Sequence, residues 1–245
     1  MPHKCEMPIA GVILGGGAGR RMGGRAKPAL MLGGQTLLAH VQTRIAGQVS
    51  VLALAARTRP EGCDLPLLAD RHADRRGPLA GILAGMLWAR EALPEARFLL
   101  SLPCDAPFLP RDLVPRLLTM LAAEPEARVI LACSGGVEHR AVALWDVALA
   151  GPLAEVVERG EDLSIHRFYR RVPHALCDFA APPSGPISGP ISGPDPFLNI
   201  NTPEDLARAE DALRMGKHLE PIVPRNADEG EAGGLGLPHG KQGGG

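Results

Sequence analysis

Residues 11–30, GVILGGGAGRRMGGRAKPAL, concentrate bare backbone and positive charge in one place. An apolar run ends in Gly15-Gly16-Gly17, whose N–H groups have no Cβ to hold an anion away. Arg20, Arg21 and Lys27 follow, and a polyphosphate is the ligand that needs both the amides and the charge. Two common phosphate loops are excluded by spacing. A Walker A loop, G-x-x-x-x-G-K-[ST], fails because Lys27 follows Ala26 and precedes Pro28. A dinucleotide fingerprint, G-x-G-x-x-G, fails in both registers, since its third glycine falls on Arg20 or on Met22.

Such a loop must be held by strands and helices. Apolar runs predict strands over 9–14, 49–56, 67–68, 97–103, 128–133, 141–145 and 175–179. Helical spacing predicts helices over 37–45, 79–92, 113–123, 152–159 and 203–214, with Thr36 and Thr202 at N-cap positions and Pro203 opening the last. Buried strands alternating with helices mean an α/β domain around a mostly parallel sheet. One domain is expected over residues 1–215, carrying a Gly-Pro-Ile-Ser repeat over 184–194 as a surface insertion, with a disordered tail over 216–245.

Composition narrows the partners. Lys plus Arg total 26 against 27 Asp plus Glu, a net charge of −1, so no global field attracts nucleic acid and any anion site is local. With 3% aromatic residues, a surface for stacking bases is not expected either. The five cysteines (Cys5, Cys63, Cys104, Cys133 and Cys177) form no C-x-x-C pair, which argues against zinc and for reduced thiols in the cytoplasm. Lys4 and the apolar stretch after it superficially resemble a signal peptide. The run is short, and Arg20 and Arg21 follow rather than precede it, so a buried strand is the reading and no membrane segment is expected.

The strand followed by LxGGxxxRMGGxxK resembles the signature loop of the nucleotidyltransferases, carried here by Leu14, Gly15, Gly16, Gly17, Arg21, Met22, Gly23, Gly24 and Lys27. The chain is identified by resemblance with the molybdenum cofactor guanylyltransferases, which join GMP to molybdopterin. Further stretches match in order: Asp70 and GPLAG (77–81), Asp105 in LPCDAPFLP, His139 in EHRAVALW, and Asn199 and Asn201 in FLNINTPEDL. The resemblance implies a single Rossmann-like three-layer nucleotidyltransferase domain. It implies GTP and molybdopterin as substrates, Mg²⁺ as cofactor, and cofactor-synthesis proteins and recipient molybdoenzymes as partners, with no nucleic acid and no membrane.

In that reaction a substrate phosphate attacks the α-phosphorus of a nucleoside triphosphate and pyrophosphate leaves. Lys27 and Arg21 would neutralise the departing pyrophosphate, and the Gly15–Gly17 amides, beside Leu14, would hold the triphosphate. Asp105 would hold Mg²⁺, Asp70 would contact the nucleotide or assist the metal, and Asn199 and Asn201 would face the acceptor phosphate or the metal. Gly15 replaces the family's usual alanine, Ala26 replaces an aspartate, and Leu54 and Ala56 stand where an asparagine-containing stretch usually meets the base. His139 reads as a structural histidine, and Cys104 as a small buried thiol rather than a nucleophile. Competing functions are a relative using CTP or a sugar-phosphate acceptor, and a non-catalytic nucleotide-binding module; a nicotinamide dehydrogenase is excluded by the failed fingerprint.

Overall fold

A computed structural model of the chain describes residues 7–15, 27–68, 77–160, 164–180 and 195–217. Gly16, Gly17, Arg20, Arg21, Ala26, Asp70, the 184–194 repeat and the tail beyond residue 217 lie outside the described residues. The first strand, β1 (Ile9–Leu14), is buried at every position. Lys27–Ala29 form a 3-10 turn, leading into a small hairpin of β2 (Met31–Leu32) and β3 (Gln35–Thr36) that sequence periodicity missed because each strand has two residues. Helix α1 (Leu37–Ile45) begins at the expected cap, the Ala39 N–H donating to Thr36 Oγ1 at 3.1 Å. Then come β4 (Val51–Ala55), β5 (Leu67–Leu68), α2 (Gly77–Ala92), β6 (Phe98–Pro103) and α3 (Leu113–Ala123). The chain continues through β7 (Val129–Ser134), β8 (Val137–Asp146), α4 (Ala150–Arg159), α5 (Ile165–Tyr169), β9 (His174–Asp178) and α6 (Pro203–Lys217).

The main sheet runs β5-β4-β1-β6-β8-β7-β9. Its neighbours pair in parallel except β8, which is antiparallel to both β6 and β7. Alternate residues of each strand enter opposite cores. Ile9 and Ile13 pack with α1 and α3, whereas Ala10, Val12 and Leu14 pack with α2, α4 and α5, giving helix, sheet and helix layers. Buried Gln48 links α1 to α3: its amide oxygen accepts from the Val114 N–H at 2.9 Å, satisfying a donor at the start of α3.

Two departures from the expected elements matter for function. Strand β8 starts at Val137 rather than 141, because Gly135 and Gly136, with φ of 56° and 79°, make a two-residue turn back from Ser134. The polar run Val137–Arg140 hid that extension from a search for apolar strands. Helix α5 was also missed; its cap is Ser164, whose hydroxyl accepts from the Arg167 N–H at 3.2 Å. Helix α6 continues to Lys217, two residues past the expected domain end.

The motif GPLAG has a packing explanation. A Cβ on Gly81 would stand 2.8 Å from Leu14 Cδ2, and one on Gly85 would stand 2.8 Å from Val12 Cγ1. These glycines therefore let α2 lie close against the end of β1. Within the otherwise apolar β6, fully buried Ser101 accepts from Trp145 Nε1 at 2.9 Å and donates to the Ala141 carbonyl at 2.9 Å. Ser101→Ala leaves the buried indole N–H without a partner. The expected loss is about 1–3 kcal/mol in urea denaturation, with an unchanged m-value.

Candidate active site

After β1 the chain builds β4 and β5 outward on one side, then returns to place β6 on the other side of β1. The strand order reverses between β1 and β6, and in open α/β sheets the crevice beyond the carboxyl ends at such a point receives the ligand. The Cys104 N–H donates to the Leu14 carbonyl at 3.3 Å across this point. Leu14, Gly15, Pro103 and Asp105 therefore all lie at one edge of the sheet, as the strand-end positions in the sequence implied.

Lys27 reaches this edge from the 3-10 turn. Its Nζ donates to Asp105 Oδ2 at 2.6 Å and to Asn201 Oδ1 at 2.5 Å, joining groups 78 and 174 residues away along the chain. Asp105 and Asn201 are positioned together because the Ile200 N–H donates to the Asp105 carbonyl at 2.9 Å. Asn201 keeps its side chain for Lys27 because other groups cap α6. Asp205 Oδ2 accepts from the Asn201 and Thr202 N–H groups, each at 3.0 Å, and the Asp205 N–H returns a bond to Thr202 Oγ1 at 3.2 Å. These donors, the Asn201 N–H first among them, hold the Asp205 carboxyl below its usual range.

Asp105 and Asn201 offer hard oxygen donors that already grip one cation, the Lys27 ammonium. No group of three or more His, Cys, Asp or Glu side chains with metal-binding geometry occurs among the described residues. That donor set suits Mg²⁺, which binds through one or two carboxylates and completes its shell with phosphates and water.

The Gly15 amide, expected to face phosphate, is committed elsewhere: it donates to the Ala55 carbonyl at 2.9 Å and extends the β1–β4 pairing. The residue's importance is steric. A Cβ there would lie 3.0 Å from both Leu54 Cδ1 and Ala56 Cβ and 3.4 Å from Pro28 Cγ. Two separate departures from the family pattern thus meet in space, with buried Leu54 and Ala56 occupying the room that a side chain at residue 15 would need.

A cavity of about 800 Å³ is lined by Pro103, Glu138, His139, Asp195, Phe197 and Asn199 among others, Pro103 and Asn199 being two residues from Asp105 and Asn201 along the chain. The extension of β8 supplies one wall and the segment before α6 another. Asn199 lines this cavity whereas Asn201 meets Lys27, so the two asparagines serve different sides of the site. His139 lies against Phe197, ring centroids 4.4 Å apart and planes inclined by 26°, and its Nε2 is shielded without a hydrogen-bond partner. Burial lowers the His139 pKa, against the opposing charge of Asp195. The Tyr169 hydroxyl, donating at 2.7 Å, is the first cause holding the Glu138 carboxyl below its usual range, with Arg140 adding an ion pair at 3.0 Å. Cys104 is no nucleophile: burial, then the adjacent Asp105 charge, pushes its thiol up to about 12. Cys63, Cys133 and Cys177 are likewise unpaired and buried.

Residues 11–175 match the family of the MobA-like NTP transferase domain. Over 202 residues the chain is 43% identical to a molybdenum cofactor guanylyltransferase of Rhodopseudomonas palustris, covering 81% of this chain and 89% of that one. Over 211 residues it is 43% identical to the enzyme of the same name from Cereibacter sphaeroides, covering 85% and 98%. Among solved structures, molybdopterin-guanine dinucleotide biosynthesis protein A of Archaeoglobus fulgidus superposes with a TM-score of 0.63 at 19% identity, over 84% and 99% of the two chains. The 2-C-methyl-D-erythritol 4-phosphate cytidylyltransferase of Thermus thermophilus gives 0.58 at 18% identity, over 85% and 100%. These structural likenesses establish the nucleotidyltransferase fold.

The environment of His139 has a pH signature. Its folded-state pKa lies below the unfolded value, so the unfolded chain takes up the proton first as pH falls. Stability from the neutral imidazole is present above the unfolded pKa, about 6.5, and is lost as pH drops below it. His139→Phe should flatten that part of the acid limb, seen as a smaller fall in Tm between pH 7 and pH 5 than in the parent protein.

Proposed function

Because the chain belongs to the MobA-like NTP transferase family, we propose that it transfers GMP from GTP to the terminal phosphate of molybdopterin and releases pyrophosphate. The observation that carries the site assignment is the meeting of Lys27, Asp105 and Asn201 beyond the carboxyl ends of β1 and β6. Relatives named molybdenum cofactor guanylyltransferase, 43% identical over most of the chain, support the substrate pair.

The acceptor phosphate is anionic at neutral pH and attacks the α-phosphorus without needing a strong general base. The protein's task is alignment and charge stabilisation. Asp105, with Asn201 beside it, is the ligand set for Mg²⁺, which when bound neutralises charge on the phosphates. Lys27 meets the growing charge of the pyrophosphate, joined by Arg21, while Gly16 and Gly17 supply amides to the triphosphate. Leu14 and Gly15 bind the nucleotide from the strand end where the glycine loop begins, and Asp70 contacts the nucleotide or assists the metal. The cavity beside Asn199 receives the body of molybdopterin, with its phosphate directed toward Asp105. Leu54 and Ala56 are buried, which leaves backbone groups rather than these side chains to read guanine.

The reaction belongs to the cytoplasm, where reduced thiols fit the buried, unpaired cysteines. No helix among the described residues is long and apolar enough to cross a membrane. Cofactor-synthesis proteins and recipient molybdoenzymes are the expected partners.

Purified protein given molybdopterin, Mg²⁺ and each of the four nucleoside triphosphates in turn should release pyrophosphate far faster with GTP than with CTP. A preference for CTP would replace the donor and leave the reaction type standing; no release with any of the four would overturn catalysis. Asp105→Asn, which keeps size but removes charge, should need far more Mg²⁺ for the same rate, or lose the rate. Lys27→Ala should lose about 2.7–4 kcal/mol of transition-state stabilisation, read as a fall in kcat larger than the rise in KM for GTP.

A further inference from the structure

We propose that the Lys27 ammonium occupies the divalent-cation position in the nucleotide-free protein, so that metal enters only with nucleotide, whose phosphates draw the ammonium away. The inference rests on the assignment of Asp105 as metal ligand. Lys27 Nζ stands 2.6 Å from Asp105 Oδ2 and 2.5 Å from Asn201 Oδ1, in direct contact with the two oxygens that suit a hard dication. A metal ion on Asp105 Oδ2 and the ammonium cannot share this contact. The Lys27 and Asp105 side chains are 19% and 11% exposed, so water screens the pair weakly. A dication arriving alone would have to expel the ammonium and leave two positive groups close together without new anions to separate them.

Nucleotide changes that balance. A bound triphosphate offers anionic oxygens to the ammonium at the moment the metal needs the carboxylate. The backbone of Lys27 is fixed in the 3-10 turn, its carbonyl accepting from the Leu30 N–H at 3.1 Å, and a lysine's flexible four-carbon stem can change partners without moving that backbone. Asn201 stays where the Asp205 bonds hold its backbone, so the donor set is already formed when the ammonium leaves. Metal and nucleotide therefore favour each other's binding, and by linkage the coupling is the same in either order. The same lysine guards the metal position before substrate arrives and stabilises pyrophosphate afterwards.

Mn²⁺ binding, followed by the electron paramagnetic resonance signal of free Mn²⁺, separates this coupling from turnover. Full-length wild-type protein should bind Mn²⁺ weakly alone and far more tightly with GTP. Lys27→Met and Lys27→Gln, checked for folding by circular dichroism and Tm, should bind Mn²⁺ alone at least tenfold tighter than wild type. Added GTP should then tighten Mn²⁺ binding much less than it does in wild type. Adding Asp105→Asn to either variant should abolish the gain. Unchanged Mn²⁺ affinity in both lysine variants overturns the proposal. A gain that survives Asp105→Asn also overturns it, by moving the metal off Asp105, while GMP transfer is judged separately by pyrophosphate release.

Discussion

Reversal of the strand order beside β1 is the constraint from which the site follows. A parallel sheet built outward in one direction must at some point be extended on its other side, and here that happens between β1 and β6. Loops leaving two such neighbouring strands diverge and open a crevice at the carboxyl edge. Close packing of α2 sharpens the geometry, since Gly81 and Gly85 bring the helix against Leu14 and Val12. The glycine loop and Asp105 thereby begin from strand ends that are hydrogen-bonded to one another through Cys104 and Leu14.

A second organising element is the segment from Asp195 to Asp205. It carries one asparagine to the wall of the cavity and another to Lys27, and its backbone bonds to the Asp105 carbonyl. The capping bonds of α6 fix its far end without using the Asn201 side chain. At its near end the Asp195 carboxylate accepts from the Phe197 N–H at 2.9 Å, and Phe197 supports the His139 ring. One short stretch thus links the cavity wall to the Lys27–Asp105 cluster.

Charge is used sparingly. The whole chain carries a net charge of −1, so attraction for phosphate comes from local groups and not from a general field. The unshared histidine nitrogen and the protonated thiol beside Asp105 are kept out of acid–base work by burial. This suits a reaction whose nucleophile is ionised before it arrives.

The sequence by itself determined the layered α/β class and most strands and helices, because buried strands, helical spacing and caps such as Thr36 and Thr202 are local signals. It also marked Lys27, Asp105 and Asn201 as separate candidates. Local signals could not reveal the length of β8, whose first two residues, Val137 and Glu138, pair with β7 across the Gly135-Gly136 turn rather than showing apolar alternation. Nor could they reveal that Gly15 spends its amide on Ala55 and leaves room for Leu54 and Ala56. Only the tertiary structure decided that one ammonium bridges Asp105 and Asn201, and that Asn199 serves a different wall two residues away. Those contacts join residues far apart along the chain, and the order of strands in the sheet, which no local pattern encodes, brings them together.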